Sequence, residues 1–349
     1  MCVFRLKTNV PKHLMQFLTN STRQKNSLKN SIKKTTDMTA LVKSVHWRGR
    51  KGSSARTLTV TMIDDDGYKH ARSGIDVEDG NQCVFLVDGK ERFRGILLNQ
   101  NQGNKKNLKF TAYDNGIYLA NNKDTFVYKN KTADQVFTDV CSRFGIPTGT
   151  VAKCTYQIPE LTKSKTTGQD AVLDALSLDY KATGTRHYVS SDGGKLSLLQ
   201  RKDQVISYVV DGDANLYGYS YTKSIENIKT RVKMISKEGT TLAEKSNAAL
   251  EKKIGIFQEI QQPDESLTTP QVKDLVSSVL DTLDDPEENI DLNTLGDADV
   301  ISGKAILVRI PHLSINRAYY VDDDDHYFED NLHTMSVTLT TAADVKKGG

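Results

Sequence analysis

The densest group of candidate metal ligands in this chain is the run Asp322-Asp323-Asp324-Asp325-His326, with His333 close behind. Four successive carboxylates have enough oxygens for a hard cation, but a calcium loop alternates its ligands around a central glycine, and that spacing is missing. The run therefore reads as a solvated turn between strands, with His326 beside Tyr327 or Phe328 and His333 facing a strand neighbour. A second cluster, Asp281 to Asp299, holds eight carboxylates. Paired acids at a fixed separation hydrolyse glycosides, but crowding of this kind marks a wet helix end and loop. The cysteines, Cys2, Cys83, Cys141 and Cys154, form no CxxC pair and have no closely spaced histidine. That argues against a disulfide scaffold or a structural zinc site and suits a reducing compartment. The seven histidines (His13, His46, His70, His187, His312, His326, His333) are dispersed. GxSxG, HExxH, GxxxxGK[ST] and GxGxxG are all absent. The expectation is a protein of surfaces: no catalytic, cofactor-binding or metal residue is assigned, and no enzyme activity.

The elements that would carry such surfaces are mostly strands. The chain has 349 residues, enough for two or three domains, with 26% charged and 37% hydrophobic residues, an ordinary globular composition. Its net charge of +3 is too balanced for a dedicated nucleic-acid binder. No apolar run approaches the ~18 residues of a membrane span, and the amino end lacks the apolar core of a signal peptide. Charge is uneven, however. Residues 1–38 carry eight Lys/Arg and one acid, +7, which leaves −4 for the remainder. This basic extension has the apolar residues for a short helix, and a basic arm suits nucleic acid or an acidic partner surface; its alternative is a partly ordered tail.

From residue 39 to 116 the pattern is antiparallel strand. Arg56–Asp65 alternates with period two, and Asp88-Gly89 between apolar runs signals a hairpin. A first β-barrel is expected there. Residues 117–205 read as a mixed α/β module. One helix starts at Thr132, with Val136, Phe137, Val140 and Phe144 on a face, and stops at Gly145 and Pro147. A second carries Val172, Leu173, Leu176 and Tyr180 on one face and ends at Gly184. A hairpin then turns at Asp192-Gly193-Gly194. Residues 206–349 read as a second barrel with an α/β insertion at about 240–298, including a helix with Pro270 near its start.

The last strands echo the first. Gly80-Asn-Gln-Cys-Val-Phe-Leu-Val parallels Gly303-Lys-Ala-Ile-Leu-Val-Arg-Ile, each followed by an aromatic-bearing strand and then by a strand opening Asn-Leu, at Asn107 and Asn331. The fold class is thus mainly β with α/β insertions, built on two similar small antiparallel barrels. A trimer of such a chain would set six barrels around a three-fold axis, through heterologous contacts.

Several motifs match a known family. Trp47-Arg48-Gly49, Phe93-Arg94-Gly95, Ala112-Tyr113-Asp114 with Tyr118-Leu119, Asn130-Lys131-Thr132-Ala133-Asp134 and the ending YYVDDDDHYFEDNLHTMSVTL occur in the family's order. The chain resembles the XkdQ/YqbQ phage tail proteins over about residues 39–343. That resemblance implies a gp27-like baseplate hub of a contractile phage tail or a phage-tail-like bacteriocin. It implies a homotrimer joining the hexameric tail tube, or a tube-initiator protein, to the three-fold spike, with baseplate wedge components outside. The location implied is the particle's baseplate, assembled in the bacterial cytoplasm. No sequence-specific nucleic acid and no membrane insertion are expected, although DNA would pass through the lumen of a phage tail, and the acidic clusters would line that lumen or pair with neighbours. Residues 1–38 depart from the family pattern. The rival reading is a carbohydrate- or cell-wall-binding β-protein, for which Tyr217, Tyr219, Tyr221, Tyr319 and Tyr320 are the aromatic candidates.

Overall fold

The computed structural model describes residues 2–3, 36–63, 77–102, 107–212, 214–263, 265 and 267–341. The basic extension, apart from residues 2–3 and 36–38, lies outside them. Two short segments, β1 (Cys2–Val3) and β2 (Thr36–Asp37), precede the first meander: β3 (Val42–Arg50), β4 (Thr57–Ile63), β5 (Gln82–Val87), β6 (Lys90–Gln102) and β7 (Asn107–Asp114). The β5–β6 hairpin turns on Asp88 and Gly89, both at positive φ (53° and 75°), the conformation that matches the twist of paired strands. Trp47, Leu58, Val60, Phe85, Leu97 and Phe110 fill its core, and burying Phe85 or Phe110 stabilises by about 1.5–3 kcal/mol each.

The α/β module follows as α1 (Gly116–Asn121), β8 (Lys123–Lys131), α2 (Ala133–Arg143), β9 (Thr148–Val151), β10 (Ile158–Thr167), α3 (Gly168–Thr183), β11 (His187–Asp192) and β12 (Lys195–Gln200). Helix α2 opens with a capping box between Thr132 and Gln135, which satisfies two backbone donors reciprocally. Helix α3 is capped by Thr167 and ends on Gly184 at φ 69°. Its buried face is Ala171, Val172, Ala175, Leu176 and Asp179 rather than the expected stripe through Leu173 and Tyr180. The alanines let α3 pack closely, and Leu173 and Tyr180 are turned toward a cavity of about 410 Å³.

The second meander begins with β13 (Val205–Asp211) and β14 (Leu216–Ser224). A small separate unit intervenes: β15 (Arg231–Ile235), β16 (Thr241–Ser246), α4 (Ala248–Ile254), β17 (Gln258–Gln261) and α5 (Thr269–Leu283), around Val232, Met234, Val272, Val276 and Leu280. The meander resumes with β18 (Glu287–Leu295), β19 (Ala305–Ile310), β20 (Ile315–Glu329) and β21 (Leu332–Thr341). The insertion thus lies earlier than 240–298, because β15 pairs with β16 and β17 while β18 pairs with β14 and β21.

The two meanders have the same topology. Strand order is β3-β4-β7-β6-β5-β1 in one and β14-β18-β21-β20-β19-β13 in the other, and the last pair is parallel in both. The echo extends to single hydrogen bonds. Gly80 N–H donates to Leu97 O (2.8 Å) and Leu97 N–H to Asn81 O (3.0 Å). Likewise Gly303 N–H donates to Val321 O (2.9 Å) and Val321 N–H to Lys304 O (2.8 Å). Both glycines have positive φ, 83° and 95°, which accounts for glycine at each copy's entry. The register then shifts at the matching place, between Leu97 and Asn99 and between Val321 and Asp323.

One strand joins the copies. Beyond its bulge, β20 pairs antiparallel with β3, from Asp323 opposite Arg50 to Glu329 opposite Ser44. A bulge places two successive residues on one face and sharpens the local twist. Before it, Tyr319 and Val321 pack in the second core; after it, Phe328 packs in the first, edge-on to Phe85 at 5.3 Å. Phe328→Ala is expected to cost about 3–5 kcal/mol and to speed amide hydrogen exchange in β4 and β7, far away in sequence. Exchange that rises only in β19 to β21 would contradict this shared-strand account.

Candidate functional site

The aspartate run lies within β20, not in a turn, which overturns the solvated-turn expectation. Asp322 and Asp324 are buried, and each has a cation from a different part of the chain. Asp324, with no exposure, receives both terminal nitrogens of Arg56, and the backbone N–H of Ser302 donates to it at 2.6 Å. Asp322 accepts from Arg201 at 2.9 Å and from Lys51 Nζ at 2.7 Å. Asp325 is bonded to His46 (2.6 Å) and Arg50 (2.7 Å), and Asp323 accepts from the backbone N–H of Lys51 at 3.0 Å. Carboxylates of the second meander thus meet cations of the first, and Arg201 brings in the end of the α/β module. A period-two strand whose buried face carries carboxylates is stable only where each is paired.

Burial alone would raise the Asp324 pKa, but the Arg56 guanidinium and the bonds from His326 and Arg56 outweigh it and hold the carboxyl well below its usual range. Asp325 is likewise lowered, its partial burial offset by His46 and Arg50. Space for the Arg56 head is kept by Gly49, where a Cβ would lie 2.2 Å from Arg56 Nη1. The guanidinium also covers the Trp47 ring, 4.3 Å from its centroid. His326 is fully buried: its Nδ1 is 3.0 Å from His333 Nε2 and its Nε2 is 2.9 Å from Val300 O. His333 stacks on Phe328 at 3.9 Å. Asp114 behaves oppositely. Burial outweighs the bonds from Gly116 and Arg56 and pushes its pKa from 3.8 up to about 7.

The second acidic cluster also differs from its expected form. Its carboxylates straddle the end of α5 and then strand β18, which alternates exposed residues with buried Glu288, Ile290, Leu292 and Thr294. The exposed side of β18 joins a polar sheet face, where Thr338 donates to Asp291 (2.7 Å) and Ser336 to Asn293 (2.6 Å). The expected aromatic candidates separate: Tyr319 and Tyr320 are fully buried, whereas Tyr217 and Tyr219 on β14 are 64% and 40% exposed. Three residues with no sequence signature are brought together, Cys154, Asp179 and His187.

Among the open strand edges of the described residues, two stand at matching places of the meanders. β14 pairs only with β18, and β6 beyond its bulge, from Leu98 to Gln102, pairs only with β7. These are the counterparts of β3 and of the latter part of β20, which meet inside the chain. Leu98, the counterpart of buried Asp322, is 46% exposed.

The fold, paired meanders with an α/β module between them, is similar to that of solved phage tail proteins. The 43 kDa tail protein of prophage MuSo2 from Shewanella oneidensis matches with a TM-score of 0.62 at 11% identity, over 85% of this chain and 93% of that one. The tail protein from Neisseria meningitidis MC58 matches with 0.63 at 11% identity, over 86% and 93%. The E. coli c3393 protein, a type VI secretion component with structural similarity to the T4 tail proteins gp27 and gp5, matches with 0.54 at 7% identity, over 88% and 76%. More specifically, the chain belongs to the YQBQ-like family, whose model matches residues 45–340. Two Bacillus subtilis (strain 168) proteins, the uncharacterized protein YqbQ and the phage-like element PBSX protein XkdQ, are each 28% identical over 321 residues. The alignments span 91% of this chain and 97% and 98% of theirs. No helix among the described residues is long and apolar enough to cross a membrane.

Arg56→Met leaves Asp324 buried without its cation and is expected to cost about 3–5 kcal/mol in denaturant titrations; Arg56→Met with Asp324→Leu should recover part of that loss. The pH dependence has two opposing components. The lowered Asp324 and Asp325 contribute stability that is fully present above the usual carboxylate range and is lost as pH falls from that range toward their lowered values. The raised Asp114 does the reverse: the folded state holds its proton up to about pH 7, so stability declines as pH rises from about 4 to 7. Asp114→Asn, which keeps the acceptor for Gly116, is therefore expected to match wild type at pH 4 and to melt higher at pH 8. Equal melting temperatures at pH 8 would refute the assignment.

Proposed function

We propose that this chain is the baseplate hub of a contractile tail or tail-like particle. It acts as a homotrimer whose six half-units form a ring joining the hexameric tube above to the three-fold spike below. The observation that carries the reading is the seam between β20 and β3. Inside the chain, one half-unit joins the next by pairing the post-bulge part of its long strand with the first meander strand of its neighbour. The counterparts of those two elements, post-bulge β6 and β14, lack that second partner among the described residues. Repeating the internal joint between chains closes the ring with a heterologous contact. Exposed Leu98, Tyr217 and Tyr219 then form its apolar part.

In this reading residues 39–116 and 206–349 are the tube-forming parts, while the module at 117–205 and the insertion lie outside, toward wedge components. The polar sheet face runs through Asp291, Thr338, Asp323, Asp325, Arg48, Arg50, Thr59 and Thr111 and lines the channel. Its acids are interleaved with arginines rather than left as a bare acidic wall. The role is mechanical and needs no turnover, and assembly takes place before release from the producing bacterium. The aromatic residues exposed on β14 lie along an open edge, which favours docking of a second copy over glycan binding.

The test is electron microscopy of tail particles from producing cells that carry a tagged chain. Label confined to the lower end of the tube, with three-fold averages resolving six half-units, is expected. Tagged chains that stay dispersed while tails are made would refute the hub. Leu98→Asp with Tyr217→Asp, both at exposed positions, should leave the melting temperature of the isolated chain within a few degrees and abolish incorporation.

A further inference from the structure

The α/β module contains a cluster that the hub role does not use. Cys154 follows β9, Asp179 lies in the last turns of α3, and His187 opens β11, so three separate elements converge. One ligand atom from each residue lies within 4.8 Å of the others. All three side chains are shielded: Cys154 is 8% exposed, Asp179 1%, and the His187 side chain 2%. Asp179 Oδ2 is 3.3 Å from His187 Nδ1, and Cys154 Sγ is 3.9 Å from either ring nitrogen. The other carboxylate oxygen, Oδ1, is taken by the backbone N–H of Tyr156 at 3.4 Å, which orients the carboxyl group. Oδ2, facing the histidine, has no well-aligned hydrogen bond.

We propose that Cys154, Asp179 and His187 bind a divalent zinc-type cation. A thiolate, a carboxylate and an imidazole are a donor set that suits zinc in a four-coordinate arrangement. Tetrahedral zinc holds its ligand atoms about 3.3–3.6 Å apart. The Asp–His separation already fits, and a small rotation of the Cys154 side chain brings its sulfur into range. Three protein ligands leave one tetrahedral position for water or an exogenous ligand, and His187 is among the residues that also line the 410 Å³ cavity beside α3. Binding replaces the thiol proton with the metal and releases that proton to solvent; no electrons change hands. The ion would tie α3 to the β11–β12 hairpin and to the chain leaving β9, fixing the module as one body.

The experiment uses the full chain stripped with chelator and dialysed against Zn²⁺ or Co²⁺. One metal per chain by elemental analysis, a cobalt–thiolate charge-transfer band and a higher melting temperature with metal are expected. Cys154→Ala should abolish the band, and His187→Asn should release the metal at least tenfold more readily. Wild-type chain that retains no metal would overturn the proposal. Metal retained equally by Cys154→Ala would do so as well, because the ion would then be bound elsewhere.

Discussion

A carboxylate without solvent, Asp324, sets the terms for the rest of this molecule. It belongs to the second meander, while its cation, Arg56, belongs to the first, and neither is stable in an apolar interior alone. The pair therefore forms only when both halves are folded and in register. Surrounding groups follow from that demand: Gly49 leaves room for the guanidinium, Trp47 covers it, and Ser302 supplies a further donor. Such pairs contribute less net stability than an apolar core of equal volume. They penalise misalignment: a one-residue slip of a strand turns every side chain to the opposite face, and a two-residue slip, which keeps the apolar pattern, still parts each carboxylate from its cation. Here that penalty guards the joint between two similar units, where a wrong register would otherwise satisfy the apolar pattern nearly as well.

The second constraint is the bulge that follows Val321. It lets one strand leave the core of its own meander and complete that of the other, so the halves share a strand rather than touching across a flat interface. The matching irregularity after Leu97 is present in the first copy, yet there the strand runs on without a second partner among the described residues. The feature has a clear structural task in one copy and none in the other, and in the proposed ring a further copy of the chain would supply the missing partner.

Much of this architecture was legible in the residues because it rests on local chemistry. Capping at Thr132, the stop at Gly184 and the turn at Asp88-Gly89 depend on neighbours a few positions away, and each falls where the sequence indicated. The repeat was legible for the same reason: glycine at 80 and 303 answers a backbone demand that no other residue meets cheaply. What escaped was tertiary. Asp322 to Asp325 read as solvent-facing because their cations are remote in sequence: Arg56 stands 268 positions from Asp324 and Arg201 stands 121 from Asp322. The alternation of Ile290, Leu292 and Thr294 was hidden among acids that suggested a loop. Cys154, Asp179 and His187 form no motif at all, since three elements must fold before they meet.

Tandem duplication within one chain also imposes parity. Each copy of the protein brings two half-units, so any closed ring of it contains an even number of them, and no error of assembly can yield five or seven. The two halves also alternate strictly, because the covalent link and the seam between β3 and β20 fix which follows which. The symmetry axis of such a ring therefore has half the order of its apparent pseudo-symmetry. A surface that nearly repeats at every half-unit, and truly repeats at every second one, can present one periodicity to a neighbour on one side and its half to a neighbour on the other.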